Sequence, residues 1–167
     1  MRVLPKWDAA FLLTLVRNIN AFQEGEAKNP HKALLLLLVL ERFKQTGGSI
    51  VSYSEVCQPL KELIQEYCAS RHAHPEYPFW YLQNDHLFEV YYESGLQFRK
   101  GKDFPPHSQM QKYNAVGKLP FWIEKILKKN GELLVQIERI VAKGIQGGYD
   151  AEKVLADVSK ICLEKTC

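Results

Sequence analysis

Residues 29–40 read NPHKALLLLLVL, and this stretch decides the fold more than any other part of the 167-residue chain. Asn29 is a typical N-cap and Pro30 suits the first helical turn, so a helix is predicted to begin here. Every residue from 33 to 40 is apolar. A helix that is apolar on all sides must be covered on all sides, so this segment is predicted to be the central buried helix.

The segments on either side of this helix predict further helices with apolar residues at helical spacing. One helix precedes it, one follows it, and three more lie in the last third of the chain. Their expected start and stop signals are Asp8, Gly47, Ser54, Pro120, Asn130, Gly144 and Asp150. Pro59 is expected to kink the third helix or to shift its start.

Residues 79–92 are rich in β-forming side chains, and Asn84 and Asp85 separate two runs of them. This pattern predicts a hairpin, and residues 93–118 are expected to be mostly loop. Three helices followed by a hairpin is a winged-helix-like order. The predicted fold is therefore mainly α with a small β-hairpin (α+β), in which a winged-helix-like N-terminal part is followed by C-terminal helices. Residues 1–167 are expected to form a single domain.

Composition excludes several classes of protein. The leucine run is too short to span a bilayer, and no signal peptide is evident, so a cytoplasmic location without membrane contact is expected. The four cysteines are expected to be reduced thiols. Cys57, Cys68, His72 and His74 do not have zinc-site spacing, and a Cys68–His72 nucleophile pair lacks an orienting third residue. No metal, cofactor or catalytic residue is therefore predicted.

His31 and Lys32 lie in the first turn of the predicted central helix. Backbone N–H groups and the helix dipole make that turn favourable for anions, whereas basic side chains there are slightly unfavourable unless an anion binds. One interpretation is a phosphate site in which the N–H groups and both side chains converge. The alternative is that both side chains simply point to solvent.

Two other stretches allow a binding interpretation. Residues 77–81 read YPFWY, which indicates a core strand with an exposed, weakly hydrated edge at Tyr77 and Pro78. Residues 99–118 carry five basic residues and one acid. Such a stretch is typical of a phosphate-binding surface, but a solvated loop can have the same composition.

The two segments together resemble a known family. Residues 30–32 before the leucine run, followed by Tyr77-Pro78-Phe79-Trp80-x-Leu82-x-x-Asp85, are similar to the sulfur-binding domain of McrA-like type IV restriction endonucleases. Residues 116–120 (VGKLP) resemble the family's Gly-containing turn before a helix. The resemblance covers roughly residues 8–143. Family members are often fused to an HNH nuclease, which this sequence does not contain.

The resemblance implies binding of double-stranded DNA whose backbone carries a phosphorothioate, as the targeting module of a restriction system. It implies that Tyr77, Pro78 and Tyr81 line the sulfur, and that His31 and Lys32 meet bases or phosphates. Further expected DNA contacts are Lys100, Lys102, Lys112, Asn114 and Lys118. The other expected partner is a nuclease module or subunit. Changing Pro78 to Asp is expected to remove the preference for sulfur.

Two rival functions are open at this point. A general winged-helix DNA-binding domain would have the same basic stretch but no preference for sulfur. A protein-interaction module would use the aromatic stretch as a partner surface and would have no salt-dependent affinity for nucleic acid.

Overall fold

The computed structural model describes residues 7–21, 30–68, 73–92, 106–145 and 150–165. In chain order the helices are α1 (Ala9–Ala21), α2 (His31–Thr46), α3 (Tyr53–Tyr67), α4 (Glu76–Tyr81), α5 (His107–Lys112), α6 (Phe121–Lys129), α7 (Gly131–Lys143) and α8 (Ala151–Lys165). The strands are β1 (Val51–Ser52), β2 (Glu89–Tyr92) and β3 (Ala115–Lys118), and a 3₁₀ turn, Leu82–Asp85, follows α4.

The all-apolar segment is the centre of the fold, as predicted. Residues 33–40 are all buried, and α2 packs against α1, α3, α4, α7 and α8. Helices on several sides explain why α2 has no polar face within this segment. Gly47 ends α2 in the left-handed conformation, with φ of 79°. No helix in the described ranges is both long enough and apolar enough to cross a membrane.

The three strands form one antiparallel sheet with β3 in the middle, in the order β1-β3-β2. Gly117 lies opposite Val51 on one side and Val90 on the other. The elements α2-β1-α3-α4-β2-β3 follow one another as in a winged-helix unit, with α5 inserted before β3. Helix α1 precedes this unit, and α6, α7 and α8 follow it. The expected α+β fold class is confirmed, because the chain is mainly helical with one small sheet.

Local signals account for most helix ends. The Asp8 carboxylate accepts from the N–H of Phe11 at 2.9 Å, and the Asn130 side chain accepts from the N–H of Leu133 at 3.1 Å. Asp150 accepts from the N–H of Glu152 at 3.1 Å. Helix α3 was expected to begin at Ser54, but its N-cap lies two residues earlier. Ser52 is the N-cap and forms a capping box with Glu55, and α3 continues through Pro59. Asn29 lies outside the described residues.

The predicted hairpin in residues 79–92 is wrong. Residues 76–81 form α4, and the Asn84-Asp85 pair lies in the 3₁₀ turn rather than between two strands. Only β2 forms from the second β-like run, and its partner is β3, further along the chain. This segment forms a helix rather than a strand because Phe79 and Leu82, three residues apart, both pack into the core.

The expected loop over residues 93–118 needs a similar correction. Its first part, up to residue 105, lies outside the described residues. Its second part forms α5 and β3, with Met110 and Ala115 in the core. Residues 116–118, expected to belong to a turn, are therefore in the central strand.

Candidate nucleic-acid interface

The first turn of α2 lies against the segment that contains α4. The Lys32 ammonium donates to the Asp85 carboxylate at 2.9 Å, and both side chains are partly exposed, at 33% and 21%. The rings of His74 and Tyr77 are 5.1 Å apart, and His74 lies close enough to influence the ionisation of His31. The two motifs singled out in the sequence therefore meet in space.

His31 is half-buried at the start of α2. Burial lowers the pKa of its imidazole, and the nearby His74 lowers this pKa further. Because the ordinary pKa of histidine is already below 7, His31 is neutral at physiological pH. It can therefore offer one N–H donor or one acceptor, but it does not add a positive charge. Of the two basic side chains in this first turn, Lys32 is therefore the one that supplies the positive charge.

Tyr77 and Tyr81 lie four residues apart on α4, so they share one face of the helix. They are exposed to 40% and 36%, which leaves an aromatic surface open. Pro78 and Phe79 of the same helix are buried. The three residues expected to line a pocket therefore divide into two exposed rings and one buried ring.

The core fixes the orientation of α4. The Phe79 ring is fully buried and makes edge-on contacts with Tyr53 of α3, at 5.2 Å, and with Phe88, at 5.2 Å. At the start of the helix, the Glu76 carboxylate lies 3.2 Å from His74 Nδ1 and can accept a hydrogen bond from it. The buried Phe79 ring therefore anchors α4 with Tyr77 and Tyr81 exposed.

The remaining expected contacts lie on α5, on β3 and in the turn between them. The Lys118 ammonium stands 5.6 Å from the centre of the Tyr91 ring on β2, and the Lys112 ammonium stands 5.4 Å from the centre of the Tyr113 ring. Asn114 has φ of 49°, in the left-handed region that asparagine tolerates better than most residues. Lys100 and Lys102 lie outside the described residues.

Several side chains at this interface were not assigned a role from the sequence. Asp85 was part of a motif, but its contact with Lys32, 53 residues away, depends on the packing of α2 against α4. His74 was considered only as a metal ligand. The contact of Lys118 with Tyr91 is diagonal across the β2–β3 pair, in which Lys118 lies opposite Glu89, and no local sequence signal gives this register.

The metal site and the nucleophile pair that were weighed from the sequence involve Cys57, Cys68, His72 and His74. Within the described ranges, no three His, Cys, Asp or Glu side chains are grouped as metal ligands. Burial raises the pKa of the Cys68 thiol to about 11, so this thiol is protonated and weakly nucleophilic at neutral pH. His72, the other half of the considered pair, lies outside the described residues.

The geometry is suited to an anion that also has an apolar part. It combines a helix N-terminus, one ammonium group and two exposed tyrosine rings within the packing of α2 against α4. Aromatic rings beside basic groups recur on the sheet side at Tyr91 and Lys118. Such combinations are typical of surfaces that contact nucleic-acid backbones.

Comparison with known proteins gives a family match over most of the chain. The model described as "ScoMcrA-like, DNA sulfur-binding domain" matches residues 9–160. No curated protein matches the chain at a significant level.

Solved structures of the same fold exist. The sulfur-binding domain of SprMcrA, complexed with phosphorothioated DNA, has a TM-score of 0.67 at 17% identity and covers 95% of this chain and 99% of its own. The corresponding ScoMcrA domain complex has a TM-score of 0.64 at 15% identity, covering 86% and 97%. The type IV phosphorothioation-dependent restriction endonuclease ScoMcrA has a TM-score of 0.64 at 19% identity, with 95% of this chain matched to 29% of that one. At these identities the likeness shows the fold.

Proposed function

This chain belongs to the ScoMcrA-like family of DNA sulfur-binding domains, and on that premise we propose that it binds double-stranded DNA carrying a phosphorothioate in its backbone. The observation that carries the proposal is the meeting of the first turn of α2 with the segment around α4, where Lys32 contacts Asp85. These two segments hold the residues that resemble the family's binding motifs.

The helix order supports docking of α4 into DNA. In helix-turn-helix proteins the second helix of the pair enters the major groove. Here α3 and α4 form the consecutive pair, and α4 presents Tyr77 and Tyr81 on its exposed face. Lys32, at the adjacent start of α2, would then reach a base edge or a phosphate in the same groove.

The chemistry of sulfur explains the aromatic surface. Sulfur is larger and less hydrated than oxygen, although the phosphorothioate linkage stays anionic. Tyr77 and Tyr81 would make apolar contact with the sulfur. The remaining non-bridging oxygen would accept hydrogen bonds from Lys32, His31 and the N–H groups at the start of α2. Burying some tens of Å² of sulfur surface is worth only about 1 kcal/mol, so strong discrimination requires that an ordinary phosphate be penalised as well.

Sequence-independent contacts to other phosphates would come from the α5–β3 region. Lys112 is exposed, and Lys118 and Asn114 are half-buried. Lysines on a strand and an adjacent helix can track a DNA backbone and make binding sensitive to salt. We include Lys100 and Lys102 in this set on the basis of the sequence alone.

In this proposal the chain has a targeting role. It would bring a nuclease module or subunit to modified DNA in a modification-dependent restriction system, and it would not itself cut. This part of the proposal is supported by the family and by the type IV restriction endonuclease that shares the fold.

Equilibrium binding to two duplexes that differ only in one phosphorothioate tests the proposed function. The modified duplex is expected to bind at least about fivefold more tightly, because about 1 kcal/mol of sulfur contact corresponds to that ratio. Equal affinity that falls with salt would overturn the proposal and would favour a general winged-helix DNA-binding domain. Absence of DNA affinity would favour a protein-interaction module.

The position of the sulfur surface is tested by replacing Tyr77 or Tyr81 with alanine. Each change is expected to lower the ratio of affinities for the two duplexes about threefold, since apolar contact with sulfur is lost while phosphate contacts remain. Phe121→Ala is the matched control, because Phe121 is an exposed aromatic residue on α6. An unchanged ratio in both tyrosine variants would contradict the placement of sulfur on this face.

Pro78→Asp, the test suggested by the sequence, is less suitable. Pro78 is buried, so an aspartate there would place an uncompensated charge in the core and unfold part of α4. The exposed tyrosines separate loss of recognition from loss of folding.

A further inference from the structure

At the start of α2 the positive charge of Lys32 is balanced by Asp85, and the neighbouring side chains add no net positive charge, which is unusual for a surface proposed to receive an anion. Lys32 supplies one positive charge, and Asp85 cancels it from 2.9 Å away. His31 is neutral because its pKa is lowered. His74 has the Glu76 carboxylate 3.2 Å from its ring nitrogen. These five side chains therefore provide hydrogen-bond donors without an excess of positive charge.

This balance affects two kinds of anion differently. An ordinary phosphate is strongly hydrated, and any phosphate oxygen that approaches Lys32 also approaches the carboxylate of Asp85. Without a net attractive charge, little offsets the loss of its hydration shell. A phosphorothioate has a sulfur that is weakly hydrated and can rest on an apolar surface, so it needs less compensation.

Asp85 does not remove the hydrogen-bonding capacity of Lys32. An ammonium group has three N–H donors, and the contact with Asp85 uses one of them. The contact also restricts a long side chain that would otherwise lose rotamer entropy on binding. Lys32 can thus still donate to a ligand while its charge is cancelled.

Resting on the proposed function, we propose that Asp85 is a specificity-determining residue, whose carboxylate cancels the charge of Lys32 and thereby excludes unmodified phosphate from the site. The preference for phosphorothioate DNA then has two sources. The tyrosine face favours sulfur, and Asp85 disfavours ordinary phosphate.

The test is Asp85→Asn, measured with the modified and unmodified duplexes. The affinity for the unmodified duplex is expected to rise about fivefold and that for the modified duplex to rise less, so the ratio falls. The plot of log affinity against log salt concentration for the unmodified duplex should steepen by about 0.9, since one more phosphate is neutralised. A residue that only positions Lys32 would instead weaken both complexes when changed.

Controls separate the local effect from net charge and from folding. Glu152→Gln removes an exposed carboxylate on α8 that lies 3.5 Å from Arg139, and it is expected to leave the ratio unchanged. Asp85→Glu keeps the charge and should keep the ratio close to that of the wild type. Asp85→Ser repeats the charge removal with a different hydrogen-bonding group, and it serves as the test if Asp85→Asn does not fold.

The outcomes are distinguishable. If the wild-type protein prefers the modified duplex and neither Asp85→Asn nor Asp85→Ser binds the unmodified duplex more tightly, the inference about Asp85 is overturned and the proposed function stands. If the wild-type protein binds both duplexes equally, the proposed function fails, and the inference fails with it.

Discussion

Replacing Lys32 with glutamate is expected to weaken binding to phosphorothioate DNA about 100-fold, or about 2.7 kcal/mol. The change removes the ammonium that contacts Asp85 at 2.9 Å and puts a second carboxylate in its place, so the neutral Lys32–Asp85 pair becomes two negative charges. Both carboxylates would repel the DNA backbone. The measurement is equilibrium binding of the modified duplex at moderate salt.

Folding should not limit this test. Lys32 lies in the first turn of α2, where a glutamate is favoured by the helix dipole, and its side chain is one-third exposed. Thermal unfolding can confirm that the variant is folded before binding is measured.

A matched control and a compensating change sharpen the result. Lys128→Glu alters the net charge by the same amount on the exposed surface of α6 and should weaken binding much less. Combining Lys32→Glu with Asp85→Lys restores neutrality with the charges exchanged, and it should recover part of the loss. A change of less than about threefold for Lys32→Glu would exclude Lys32 from the interface.

Replacing Gly117 with alanine is expected to lower the free energy of unfolding by about 3 kcal/mol, the upper part of the range for overpacked cores. A Cβ atom at this position would lie 1.9 Å from Cζ of Phe88 and 2.3 Å from its Cε2. Phe88 is only 2% exposed and packs edge-on against Phe79 of α4, so its ring has no open space to enter. Thermal or denaturant unfolding measures the effect, and a fall in Tm of about 10 °C is expected.

Two variants identify the cause. Gly131→Ala introduces the same methyl group where a Cβ would meet no atom within 4 Å, and it should change stability by less than about 1 kcal/mol. Combining Gly117→Ala with Phe88→Leu makes room beside β3 and should be less destabilised than the sum of the single changes. A loss below about 1 kcal/mol in Gly117→Ala would show that Phe88 can move without cost.

The packing of Phe88 also links the sheet to the candidate interface. Phe88 packs against Phe79, the buried residue that anchors α4 in the core. The exposed tyrosines lie on the opposite face of the same helix. A displaced Phe88 ring would therefore shift Tyr77 and Tyr81. Loss of sulfur preference in the folded fraction of Gly117→Ala would be a secondary consequence of this link.

Sequence reasoning was most successful where one local property dominates. The all-apolar segment of α2 could be placed at the centre because no amphipathic helix would expose leucines on every side. Caps such as Asp8 and Asn130 marked helix ends because their hydrogen bonds reach only three residues along the chain.

Sequence reasoning was wrong where tertiary packing overrides local preference. Phe79, Trp80 and Tyr81 favour strands in isolation, yet in α4 Phe79 packs between Tyr53 and Phe88. Gly117 was expected in a turn, but in the central strand its missing side chain makes room for the Phe88 ring. Both outcomes depend on residues far away in the sequence.

The candidate site could likewise be predicted from the sequence only in part. The motifs around Lys32 and Tyr77 could be singled out from the sequence, and their family resemblance linked them to one function. The Lys32–Asp85 contact could not be derived, because it arises only when α2 packs against α4. The burial of Pro78 could not be derived either, since it depends on α4 being a helix.

We propose that this chain recognises sulfur in a DNA backbone. The most direct test of this proposal is the ratio of dissociation constants for two duplexes that differ by one phosphorothioate, measured at two salt concentrations. Both affinities are expected to fall as salt rises, because phosphate contacts release counterions, while the modified duplex remains at least about fivefold tighter at each concentration. A ratio of one at both salt concentrations would contradict it.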